Sequence, residues 1–207
     1  MADDRFRPGV LAELLKRMEV AHEGFIEQSE IAHSKALFGF RMAEEAMQRK
    51  DSQELERDVT MAADKLRHSL SMRPYDSFLW LMLYSLETNR KGIDLNALGY
   101  IEQSYSLAPL EAWIALRRNK LALAAFSMLN ENVQRHAVKE FSALVESGFI
   151  EDAVIILMSV GWPERNRLVN EIGRVDIVPR EAFARRLARE GTHLNVPGVE
   201  IGERPWQ

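Results

Sequence analysis

Five histidines, no cysteine and a well-mixed set of carboxylates and arginines make up the reactive inventory of this 207-residue chain. Without cysteine there is no thiolate nucleophile, no disulfide and no thiolate-bound zinc. The histidines are His22, His33, His68, His136 and His193, and none belongs to an HExxH pair. One spacing has metal-binding potential: Glu-x-x-His occurs at Glu19/His22 and again at Glu30/His33. Three residues apart on a helix, a carboxylate and an imidazole share a face, as in di-iron carboxylate bundles. Those bundles take the two motifs from separate antiparallel helices. Here the motifs lie about 16 Å apart along one continuous helix, at 1.5 Å per residue. They converge only if the chain doubles back near Gly24. The expectation is therefore no bound metal and no cofactor, with a helical carboxylate/histidine metal protein as an alternative.

No catalytic residue is assigned. The chain has no Gly-rich phosphate loop, no GxSxG elbow and no P-loop lysine. Acidic neighbours such as Glu44/Glu45 and Glu151/Asp152 diverge around a helix and cannot act as a general acid/base pair from one face. The densest basic cluster is Arg117-Arg118-Asn119-Lys120. Successive helical positions splay by about 100°, so its charges cannot all point one way. It reads as a solvated edge, as a carboxylate pairing, or as an anion contact in a groove. A net charge of −4 without a basic stripe argues against bulk nucleic-acid binding. A nucleic-acid-binding regulator is kept only as a second alternative. Arg174, Arg180, Arg185, Arg186 and Arg189 are interleaved with Glu171, Asp176, Glu181 and Glu190, which suggests ion-paired helix surfaces.

The elements that carry these residues are helical nearly throughout. Leu11, Leu14, Leu15, Met18 and Phe25, then Ala32, Ala36, Phe40, Ala43 and Met47, recur at three- and four-residue steps. They describe one long N-terminal helix, or two helices broken near Gly24. Such a stripe packs across its own domain or forms a homo-oligomer contact. Val59, Ala62, Ala63, Leu66 and Leu70 form an amphipathic helix that must stop before Pro74. Asp76 and Ser77 can cap the next helix, and Leu95 to Leu107 is helical up to Pro109. Further helices follow over Glu111–Leu129, after Asn130, over Asp152–Val160, and in two arginine-rich stretches. Val175–Val178 is the only β-leaning run. Pro197, Gly198 and Pro205 forbid a helix in the tail, which packs on its own domain or serves as a strap for a partner. The expected segments are 1–50, 51–129, 130–191 and 192–207.

The centre of the chain repeats. Residues 62–74 align with residues 97–109 at an offset of 35, matching Ala62 with Ala97, Leu66 with Ile101, Ser69 with Ser104 and Pro74 with Pro109. Trp80 follows Pro74 by six residues. A proline-terminated helix pair with small residues at its crossing, at a period near 34, resembles the tetratricopeptide-repeat superfamily. The resemblance covers residues 62–116. It departs at Tyr84, where a small glycine is usual, at Glu87, where tyrosine is usual, and at Trp113, which comes two residues early. The run Ser106–Asn119 is also similar to a stretch of helical-repeat proteins encoded with bacterial exopolysaccharide biosynthesis genes.

These resemblances imply an all-α fold of tetratricopeptide-like hairpins, a short α-solenoid with irregular capping helices. They imply a non-catalytic protein–protein interaction module, accessory to exopolysaccharide or envelope synthesis. Its groove would present Phe78, Ser85 and Asn89, joined by Arg117 and Arg118. The N-terminus lacks the basic-then-apolar pattern of a signal peptide, and no apolar run reaches the roughly 20 residues that span a bilayer. The expectation is a cytoplasmic protein, or a membrane-associated one if an anchor precedes the segment.

Overall fold

A computed structural model describes residues 13, 16, 17, 29–49, 52–108 and 111–200 of the chain. The fold is all-α and built from helix hairpins, with no strand among the described residues. Nine α-helices are described: α1 (Ser29–Arg49), α2 (Ser52–Met72), α3 (Ser77–Lys91), α4 (Leu95–Leu107), α5 (Ala112–Ala124), α6 (Glu131–Glu146), α7 (Ile150–Met158), α8 (Arg165–Ile172) and α9 (Ile177–Arg189). Single 3-10 turns lie at Phe126–Met128 and Trp162–Glu164. The chain divides into two compact units, with the boundary after Leu107.

In the first unit the apolar stripe of α1 is buried against α2. Ala32, Ala36, Phe40 and Ala43 are nearly inaccessible, and Ala36, Phe40 and Ala43 share one core with Val59, Ala62, Ala63, Leu66 and Leu70. The described part of the N-terminal stripe therefore closes an intramolecular hairpin. Its earlier half, Leu11 to Phe25, and the question of one helix or two lie outside the described residues.

A second hairpin, α3 with α4, packs on α2. Asp76 starts it as an N-cap, its Oδ1 accepting from the Phe78 and Leu79 amides at 3.1 Å each. Asp94 does the same for α4, accepting from the Ala97 amide at 2.7 Å. Gly92 closes α3 at φ +81°, a left-handed turn that favours glycine. The residues matched at the offset of 35 are buried in both hairpins. Ala62 and Ala97 are each 1% exposed, and Leu66, Ile101, Ser69 and Ser104 are all fully buried. Ser77 Oγ donates to the Ser104 carbonyl at 3.1 Å and lies 3.3 Å from the Ser104 hydroxyl, joining α3 to α4. Ser69 Oγ has no such partner.

Of the three departures from the repeat pattern, Tyr84 and Glu87 are interior and Trp113 is exposed. Tyr84 is 2% exposed, and its burial raises the phenol pKa. Glu87 is nearly buried and gathers Arg67 of α2 with Arg90 and Lys91 of its own helix. Burial alone would raise the Glu87 carboxyl pKa, but Lys91, Arg90 and Arg67 together hold it below the usual range.

The second unit is organised around α6. Val133, Ala137, Phe141, Leu144 and Val145 are buried on its inner face, as its periodicity predicts, and Phe141 meets Phe183 of α9 edge to face at 6.1 Å. Asn130 caps it, Oδ1 accepting from the Val133 amide at 3.0 Å. Helix α5, grouped with the repeats on sequence, packs on α6 and belongs to this unit; the expected boundary at residue 129 moves to 107/108. Val175–Val178 is not a strand. Val175 is buried in a turn and Ile177 opens α9, where Pro179 fits a first turn whose N–H groups have no helical partner anyway.

The tail is fastened to its own unit as far as it is described. Val196 is 2% exposed and Arg180 Nη1 donates to the Pro197 carbonyl at 2.7 Å. Gly198 turns the chain at φ +73°. Trp206 lies outside the described residues. No described helix is long and apolar enough to cross a membrane.

Candidate functional site

The five residues expected in a groove are divided between the two units: Phe78, Ser85 and Asn89 in the first, Arg117 and Arg118 in the second. Phe78 is half-buried and packs against the hairpin core. Ser85 is buried, and its carbonyl accepts from Asn89 Nδ2 at 2.7 Å; Asn89 itself is exposed. Arg117 is half-buried and engaged in contacts of its own.

Arg118 corrects the expectation. It is fully buried, and so is its partner Glu140 of α6. Its Nε and Nη2 both reach Glu140 Oε1, at 3.0 and 2.5 Å. Asn119 completes the group, Nδ2 donating to the Ala137 carbonyl at 2.8 Å. A charge 22 residues away in sequence, invisible to periodicity, turns an apparent basic surface cluster into an interior fastening between α5 and α6.

The Glu-x-x-His motif at Glu30/His33 is likewise drawn into the framework. Glu30 lies 3.3 Å from Arg73 Nη2, and His33 Nδ1 lies 3.2 Å from Asp76 Oδ2, the oxygen not used for capping. Glu19 and His22 lie outside the described residues. Among the described residues no group of three or more His, Asp or Glu side chains is placed to hold a metal.

A cleft of about 360 Å³ opens instead between α6 and α8. One wall carries Arg135, Val138 and Lys139; the other carries Arg167, Asn170, Glu171 and, just past the helix, Arg174. Arg135 and Lys139 are one turn apart on α6, with Cβ atoms about 5–6 Å apart. Four cations therefore face one carboxylate.

The carboxylate does not neutralise the set. Glu171 Oε1 is taken by Arg174 at 2.8 Å, and both residues line the cleft. Arg135 instead donates to the neutral Asn132 side chain. Arg167 donates to Gln134 Oε1 at 3.2 Å and lies over the Phe126 ring, 5.2 Å from its centroid. Gln134 is itself fixed, its Nε2 donating to the Phe126 and Leu129 carbonyls at 3.0 Å each. Among the described residues no carboxylate lies within ion-pairing distance of Arg135, Lys139 or Arg167.

Elsewhere Arg185 pairs with Glu181 and Arg186 with Glu190, both from the interleaved set, while Arg186 also reaches Glu151 of α7 and Arg180 donates to a backbone carbonyl. The cleft was missed because Glu131 stands four residues before Arg135 and Glu171 four after Arg167, which makes both arginines look balanced. Lys139 carried the available signal, since no acid sits three or four residues from it.

No family model matches this chain, and no curated protein or solved structure matches it.

Proposed function

We propose that this chain is a non-catalytic protein–protein interaction module of tetratricopeptide type, accessory to bacterial exopolysaccharide or envelope synthesis. The observation that carries the interaction reading is the cleft between α6 and α8, with three exposed cations that have no carboxylate partner among the described residues. A cation left without a carboxylate on a fixed wall is a ready contact for a partner's acidic group, because a charge-assisted hydrogen bond to that group displaces no internal ion pair. Arg167 supports this further: Gln134 and Phe126 hold it in place, so little side-chain freedom is lost when a partner binds. The exopolysaccharide assignment rests on the similarity of Ser106–Asn119 alone.

Affinity capture from the native host, followed by mass spectrometry, tests the module reading. One protein is expected to co-purify in near-stoichiometric amount with the natural chain and to be lost with Lys139→Glu. A capture profile unaltered by Lys139→Glu and by Arg135→Glu contradicts it.

A further inference from the structure

We infer that the α6–α8 cleft receives an acidic peptide segment of the partner protein, with carboxylates at alternate positions seated against Arg135, Lys139 and Arg167. This rests on the interaction reading above and specifies its chemistry.

Shape is the first reason. The cations are spread along the cleft: Arg135 and Lys139 one turn apart on α6, Arg167 near the start of α8 and Arg174 just past its end. One phosphate or one carboxylate touches a single point of such a strip. An extended chain advances about 3.3 Å per residue, so alternate side chains fall about 6.6 Å apart, close to the Arg135–Lys139 step.

The lining between the charges is the second reason. Asn170 offers both an amide donor and a carbonyl acceptor, the pair a peptide backbone requires. Val138 supplies an apolar floor and is only 5% exposed. Glu171, whose carboxylate is paired with Arg174, repels an acid beside it and leaves Arg135, Lys139 and Arg167 as the positions for acidic side chains.

Nucleic acid fits less well. Among the described residues no aromatic side chain lines the cleft, and the Phe126 ring beside Arg167 is covered by that guanidinium. Sequence-tolerant single-strand binders rely on exposed aromatic platforms. A chain of net charge −4 also repels a long polyanion outside its basic strip.

Fluorescence anisotropy tests the inference directly, using the full chain and a labelled peptide of alternating Glu and Ala. Competition is measured with a single-stranded oligothymidylate and with inorganic phosphate. The peptide is expected to bind at low ionic strength and to weaken as salt is added. Arg135→Ala, Lys139→Ala and Arg167→Ala should each lower affinity about tenfold, as expected for loss of one charge-assisted contact. Arg185→Ala, whose partner is Glu181, should leave it unchanged. Arg167→Ala uncovers Phe126, so unfolding curves accompany it, and the exposed Lys139 variant decides if that protein is unstable.

Peptide binding indifferent to all three substitutions overturns the inference. So does tighter binding of oligothymidylate than of peptide, or displacement by phosphate at the peptide's own concentration. If the peptide fails to bind while Lys139→Glu still abolishes capture from the host, the interaction reading stands and the acidic-peptide assignment falls.

Discussion

Arg118 and Glu140 meet with neither side chain exposed, the guanidinium of α5 reaching one carboxylate oxygen of α6 through two nitrogens. Two charges taken out of water are tolerated only while each satisfies the other, since an uncompensated buried charge costs far more than the pair contributes. Arg118→Met alone should destabilise the protein by about 3–5 kcal/mol. Combining it with Glu140→Leu should recover most of that loss, because no orphan charge remains. Urea unfolding of both singles and the double variant checks this; equal losses in single and double would show that packing, not charge, dominates.

Two buried serines, Ser77 and Ser69, should respond differently. Ser77→Ala removes the bond to the Ser104 carbonyl and should cost about 1 kcal/mol. Ser69 Oγ is buried without a partner, so Ser69→Ala should be neutral or stabilising. Thermal melts of the two variants distinguish them, and a large loss on Ser69→Ala would contradict the assignment.

Glu87 gives the first unit an acid sensitivity of known sign. Its carboxyl pKa is lowered in the folded chain, because Lys91, Arg90 and Arg67 outweigh the raising effect of burial. A depressed carboxyl contributes stability above its unfolded value, near 4.3, and loses it as pH falls through the folded value. Glu87→Gln should therefore be less stable than the natural chain at pH 7 and show a shallower fall between pH 5 and about 3. Denaturant midpoints across that range measure the difference. Parallel curves would assign the acid sensitivity to other groups.

The tail's attachment can be released by one change. Arg180→Ala removes the donor to the Pro197 carbonyl. Amide exchange at Val199, whose N–H donates to the Val196 carbonyl at 3.1 Å, should then accelerate while α6 remains protected. Unchanged exchange would mean that the buried Val196 alone holds the segment.

The helices were legible because their signals are local. Asp76 and Asn130 announce their caps, and Ala62, Leu66, Ser69, Ala97, Ile101 and Ser104 are all buried where small or apolar residues recur at helical spacing. The site was not legible because its decisive facts are non-local. Whether Arg118 faces water depends on Glu140, 22 residues on. Whether Arg167 is balanced depends on Glu171 being taken by Arg174, and on Gln134 approaching from another helix. Helical spacing proposes partners for a charge, but only packing chooses among them.

The most direct measurement of the central claim is a nitrogen–proton NMR titration of the full chain with the alternating Glu–Ala peptide. Shift changes are expected to cluster at Arg135–Lys139 and Arg167–Arg174, with little change along Phe78–Asn89. Shifts confined to the first unit, or none at saturating peptide, would contradict a binding site between α6 and α8.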